Sequence, residues 1–287
     1  MKARFKKRLA AAVAVVSTMA AVAVAAPSSS AAPTVPSLQA FGISADGTVM
    51  SAFTTDNPDT LNWFKLITGL KGDTALIGID FRVQNGLMYG VGNQGGIYTI
   101  TTPPTTADVV VTKVSQLTVP LYGTNFGVDF NPAADRLRVI SDNAQNLRHN
   151  LHDHTTTEDT TLTTPPLTGP TRSVTAAAYT NNDLDATTAT TLFDINTALD
   201  QVVIQSPANN GFLAATGALG RDSGLNAGFD IYSDLTNGKT TSVVGFASLP
   251  SGAVSTLYTV NLFTGETAPI EPFPFAMTDV AVTLDTM

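Results

Sequence analysis

Three aspartates recur at one place in the chain: Asp80, Asp129 and Asp230. Carboxylates brought together by a repeat can hold a divalent cation such as calcium through oxygen ligands. An aspartate near a strand end can instead accept backbone N–H groups from a neighbouring turn and fix one unit to the next. The structural role is the expected one, because the third copy of the motif carries Ala178 or Tyr179 there, which breaks a complete ring. A second candidate is the polar stretch Asn131, Arg136, Arg138, Asp142, Gln145, Asn146 and Arg148. In a strand Arg136 and Arg138 share a face. Guanidinium groups so placed can fork onto a carboxylate or phosphate ligand. In an acidic chain they can equally pair with internal acids, yet this stretch is the expected ligand site.

The three histidines fall within six residues, at 149, 152 and 154. If the segment is extended, His152 and His154 lie on one face with Asp153 pointing away, and two imidazoles can bind zinc, copper or nickel. The run Asn181, Asn182, Asp183, Asp185 starts like a calcium loop, but Ala186 and Leu192 stand where that loop needs Gly and Glu. No G-x-S-x-G nucleophile elbow is present, and the three glutamates, Glu158, Glu266 and Glu271, lie outside the repeated strands. No catalytic residue is assigned, and the only cofactor the residues suggest is a divalent cation, calcium or zinc.

These residues sit in short alternating or apolar runs rich in Thr, Val and Ile, separated by Gly, Asn, Asp and Pro, so the class is all-β. The runs recur. Ile77–Phe81, Phe126–Phe130, Thr175–Tyr179, Ala227–Ile231 and Asp279–Val282 are spaced by 49 to 52 residues. Each of the first four is followed by three further strands, and a period near fifty with four strands describes a propeller blade. The last copy has only its opening strand. Phe41–Ser44, Thr48–Phe53 and Asn62–Ile67 supply the missing three. The expectation is a five-bladed β-propeller closed by pairing of the N- and C-terminal strands. Gly78, Gly127, Ala176 and Gly228 belong on inner strands crowded about the axis.

Location reads from the first residues. Met1 to Arg8 carries five basic residues, Leu9 to Ala26 is an uncharged Ala/Val-rich run, and small residues with Pro27 and Pro33 follow. Residues 1–32 are therefore expected to be a secretory signal peptide, with a single domain at 33–287. The chain of 287 residues carries a net charge of −8; without that segment ten basic residues face twenty-three acids, near −13. Such a surface repels nucleic acid and anionic membranes. There is no cysteine, which excludes disulfides, thiolate metal sites and cysteine nucleophiles. The hydrophobic fraction of 43% is ample for a core.

The stretch Phe126 to Arg148 (FGVDFNPAADRLRVISDNAQNLR) is similar to the bacterial family of domains of unknown function numbered 4394 (DUF4394). So are Ala75–Arg82, Gly86–Gly90, Val174–Asn182, Thr191–Ile195, Gly228–Ile231 and Leu257–Gly265. The resemblance spans Phe41 to Leu284. It implies a secreted, propeller-like domain and no particular reaction. The expected function is a monomeric extracellular module that binds an unknown ligand or cell-surface component. The alternative is a metal-dependent hydrolase or lyase acting on glycans or lactones.

Overall fold

A computed structural model describes residues 35–285, so the expected signal segment 1–32 lies outside the described residues. The β-branched, alternating runs fold as strands throughout. In chain order they are β1 (Gln39–Ser44), β2 (Val49–Thr54) and β3 (Trp63–Thr68); then β4 (Leu76–Arg82), β5 (Leu87–Gly92), β6 (Gly96–Ile100) and β7 (Val109–Gln116). Next come β8 (Phe126–Asn131), β9 (Arg136–Ser141), β10 (Asn146–Asn150) and β11 (Thr155–Glu158), and β12 (Val174–Tyr179), β13 (Leu192–Asn196), β14 (Gln201–Gln205) and β15 (Leu213–Ala218). The chain ends with β16 (Gly228–Thr236), β17 (Lys239–Ser251), β18 (Val254–Val260), β19 (Thr267–Pro272) and β20 (Met277–Val282). Among the described residues the only helical element is a short 3-10 turn at Ala208–Asn210, and no helix is long and apolar enough to cross a membrane.

The class is all-β, as read from the sequence. The chain ends also meet as expected, since β20 pairs antiparallel with β1, Phe41 opposite Ala281 and Ile43 opposite Asp279. The sheet count differs. Hydrogen bonding defines four sheets rather than five: three of four strands and one of eight, ordered β20-β1-β2-β3-β7-β6-β5-β4. The cause is local. Ile67 and Thr68 of β3 pair in parallel with Val109 and Val110 of β7, and this two-residue bridge joins two four-stranded runs edge to edge. A second difference concerns the outer strand of the second repeat, for which the polar run near Thr160 is the candidate in the sequence. It lies earlier, at β11, because Leu147–Asn150 pairs back across a tight turn with Thr155–Glu158. The β16–β17 hairpin is longer than its repeat. It turns on Asn237 and Gly238, both at positive φ, the twist a two-residue hairpin needs.

The opening strands β4, β8, β12, β16 and β20 lie side by side in that order, and β20 returns to β4. The small residues permit this approach. A Cβ on Gly127 would come within 2.6 Å of the Ala177 backbone, and one on Gly228 within 2.7 Å of the Asp279 backbone. Apolar side chains fill the spaces between successive four-stranded runs. Phe41 and Ile43 meet Ile79 and Phe81; Tyr89 and Val91 meet Val128 and Val139; Ile140 and Ala144 meet Leu192 and Val203. Further round, Phe193 and Ile195 meet Phe229 and Ile231, and Phe246 and Leu257 meet Ala40 and Phe53. Burial of these side chains, about 1.5–3 kcal/mol each, is what holds a chain without disulfides.

Candidate functional site

The repeated aspartates converge. Asp80 on β4, Asp129 on β8 and Asp230 on β16 are buried, and one carboxylate oxygen from each lies within 4.8 Å of the others. Each also binds backbone across to a neighbouring strand. Asp80 accepts the Phe130 N–H at 2.7 Å, Asp129 that of Tyr179 at 3.1 Å, and Asp230 that of Val282 at 2.6 Å. By this pattern the equivalent positions on β12 and β20 are Ala178 and Ala281. Asp279, one pleat from Ala281, is a fourth buried carboxylate and takes the Ile79 N–H at 2.8 Å. The near-fifty-residue recurrence sets Asp279 in register with Ala227 and not with the other aspartates, so the repeat does not mark it. Its place two residues before Ala281, on the same strand face, was the available signal.

Burial is the main force on these groups, since it penalises the charged form. It pushes Asp80 and Asp129 well above the usual carboxylate range, helped by the neighbouring carboxylates; it does the same to Asp279, and it lifts Asp230 to about 6. The backbone N–H bonds pull the other way. Three carboxyls this close can share protons or a divalent cation. Their hydrogen bonds also tie β4 to β8, β8 to β12, and β16 to β20, whichever neutralises them.

The expected ligand-binding stretch is engaged internally. Arg138 is 2% exposed. Its guanidinium donates to Asp159 and Asn146 at 2.8 and 2.7 Å, to Asn209 at 2.8 Å and to the Tyr179 hydroxyl at 3.3 Å. Arg148 forks onto the same Asp159, at 3.0 Å from both its Nε and a terminal nitrogen. The Asn146 amide donates to Thr160 and Ala208 carbonyls. Asp142 caps Thr124 and Asn125, Gln145 spans Pro120 and Tyr122, Asn131 takes the Ala134 N–H, and Arg136 donates to the carbonyls of Ala134 and Asp135. Arg136 and Arg138 thus serve local structure on one sheet and its contact with the next.

The histidine segment is not extended. Residues 151–154 form the turn between β10 and β11, and His154 sits at φ 59. His152 is exposed, and His154 faces Ser115 and not His152. His149, to which the sequence assigns no role, is fully buried on β10. In the Asn181–Asp185 loop, Asp183 accepts Thr240 and Asp185 pairs with Lys239 at 3.4 Å, so the loop docks on the β16–β17 hairpin.

One surface feature was not legible in the sequence. A groove of about 780 Å³ opens beside β3, lined by Val49, Leu61, Phe64 and Phe275, with Asp46 and Asp59 at its lip. It is built from loops at opposite ends of the chain, which no local pattern connects. Hydrogen bonds from Ser44 and Thr48 hold the Asp46 carboxyl below its ordinary range, so the lip is charged at neutral pH. Phe64 is 67% and Leu66 58% exposed, on the same strand face. Ile67 donates its N–H to Thr48 on the β2 side, so the alternation of an antiparallel ladder turns the Phe64 backbone outward, where no described strand pairs it.

The sequence model of a family described as a domain of unknown function, DUF4394, matches residues 49–281. No curated protein matches. Among solved structures, the chain is similar to a structural genomics protein of unknown function from Bacteroides thetaiotaomicron, at 12% identity over 86% of this chain and 67% of that one, with a TM-score of 0.49. It is similar to a glutaminyl cyclase from Myxococcus xanthus at 9% identity, over 88% and 97% of the two chains, TM-score 0.42. An auxiliary nutrient binding protein from Bacteroides ovatus shares 14% identity over 81% and 58%, TM-score 0.39. At these scores the likenesses carry no argument about what this chain binds.

Proposed function

We infer, from the premise that the chain belongs to the DUF4394 family of unknown function, that its role is to be read from its own surface: it is a secreted five-bladed β-propeller that binds an extended peptide segment of an extracellular or cell-surface partner. Five blades are supported by the side-by-side order of the opening strands and by the β1–β20 pairing. The β3–β7 bridge is a contact between the rims of two blades. Secretion is supported by the basic, apolar and small-residue succession in residues 1–32.

The observation that carries the binding role is the apolar groove over β2 and β3, next to the Trp63–Leu66 stretch of β3 that no described strand pairs on its outer side; only Ile67 and Thr68 beyond it pair with β7. A sheet edge with exposed apolar side chains is a template for another strand, and proteins that leave one open usually fill it with a partner. The apolar groove takes every second side chain of such a strand. The carboxylates of Asp46 and Asp59 give the groove a negative field, which favours a strand whose intervening residues are basic over one whose intervening residues are acidic. Isothermal titration with a short peptide alternating valine and lysine tests this. Binding is expected, with loss in Phe64→Ser and none for the valine–glutamate peptide. Equal binding of both peptides, or an unaffected Phe64→Ser, would overturn it. Sedimentation of the free protein as a dimer that Phe64→Ser dissolves would assign the groove to a second copy instead.

The runner-up is a hydrolase or lyase with a divalent cation on the axial carboxylates, which the mutual approach of Asp80, Asp129 and Asp230 favours. Elemental analysis after dialysis decides: stoichiometric calcium or zinc that Asp129→Asn removes supports it. Metal-free protein with a melting temperature indifferent to chelator excludes it.

A further inference from the structure

We propose that His149 and His154, converging on the hydroxyl of Ser115, form a binding site for a borderline transition-metal dication such as zinc or copper. The site joins two sheets. Ser115 lies near the end of β7, His149 on β10, and His154 in the turn before β11. Ser115 Oγ is 2.8 Å from His149 Nε2 and 2.8 Å from His154 Nδ1. Two imidazole nitrogens from different positions therefore aim at one point, where the hydroxyl can donate to one ring and accept from the other. A metal ion accepts both lone pairs at once.

The surroundings have the features of a metal site. The far nitrogen of His149, Nδ1, is held at 2.9 Å by Thr156 Oγ1, which itself accepts the Thr118 N–H at 2.9 Å. An outer hydrogen bond of this kind fixes ring orientation and tautomer. The left-handed backbone of His154 turns its ring toward Ser115 and away from His152. Ser115 and His154 line an open depression of about 490 Å³, which leaves room for water to complete the coordination. Lys113, which lines the same depression, is turned to the Lys71 carbonyl and Gln116. A site of two imidazoles and oxygen suits zinc, copper or nickel, and does not suit calcium or magnesium.

The test is copper titration of the whole chelator-treated chain, followed by electron paramagnetic resonance and calorimetry. One ion per chain is expected, with hyperfine coupling to two nitrogens. His154→Ala should weaken binding roughly tenfold or more, and His152→Ala should leave it unchanged. Both side chains are exposed, and circular dichroism checks the fold of each variant. An oxygen-only spectrum, loss in His152→Ala with retention in His154→Ala, or parent binding no tighter than that of the double variant His152→Ala, His154→Ala would each overturn the proposal.

Discussion

Replacing Asp159 by alanine should be among the costliest single changes available, because of where its two partners sit. The Asp159 side chain is 5% exposed and Arg138 2%, whereas Arg148 is 32% exposed. Without Asp159 the Arg138 guanidinium stays buried with no ion-pair partner among the described residues. The next acid it feels is Asp194, whose own oxygens have no hydrogen-bond partner. Stranding a buried charge costs about 3–5 kcal/mol. In a domain of this size that lowers the melting temperature by roughly 6–20 °C. Arg82–Asp135 is the internal control. That pair closes at 2.5 Å, but its side chains are 18% and 32% exposed, so Asp135→Ala should cost at most about 1 kcal/mol. Urea denaturation of both variants at neutral pH is the assay. The double change Arg138→Met, Asp159→Leu should recover most of the loss, since it removes both buried charges. Equal losses in Asp159→Ala and Asp135→Ala would refute the reasoning. The arginines would then be loosely held, and their claim as a ligand site would revive.

The axial carboxyls carry a pH dependence. Asp230 has a folded value of about 6 against 3.8 unfolded, so its contribution, roughly 3 kcal/mol, is whole below pH 3.8 and lost as pH rises to about 6. Asp80, Asp129 and Asp279 act in the same direction. His149, held at about 4, opposes them, because its stability cost fades as pH rises toward 6.5. The stability difference between the parent and Asp230→Asn, measured in chelator, should therefore move by roughly 2 kcal/mol in favour of the variant from pH 4 to pH 7; a constant difference counts against a buried cluster. Deleting residues 277–287 should destabilise far more than deleting 33–38, because only the first removes β20 from between β1 and β4; equal melting would contradict the closure. Gly127→Val should fail to fold or lose several kcal/mol, because its side chain would enter the Ala176–Ala177 backbone; a near-parental urea midpoint would disprove that approach.

Much of the strand pattern was legible because β-branched alternation and the near-fifty-residue recurrence are local signals. The runs Phe126–Phe130 and Thr175–Tyr179 fall on β8 and β12, where the pattern puts strands. The recurring aspartate was legible for the same reason. Other features depend on contacts that spacing cannot report. Asp159 pairs with Arg138 and Arg148 across a hairpin, and Ser115 meets His149 from 34 residues away on another sheet. The His152–His154 face presumed an extended chain, and the turn at 151–154 removed it. The β3–β7 bridge arises where two four-stranded runs meet edge to edge, with no signature in either strand.

The central claim is that the edge of β3 receives a partner strand. Residue-resolved amide hydrogen exchange, with and without the valine–lysine peptide, tests it most directly. Phe64 and its neighbours on β3 should slow markedly while β11 and β15, outer strands without the groove, stay unchanged. Unaltered exchange at Phe64 with the peptide bound, or protection concentrated around Arg136–Arg148, would contradict the account.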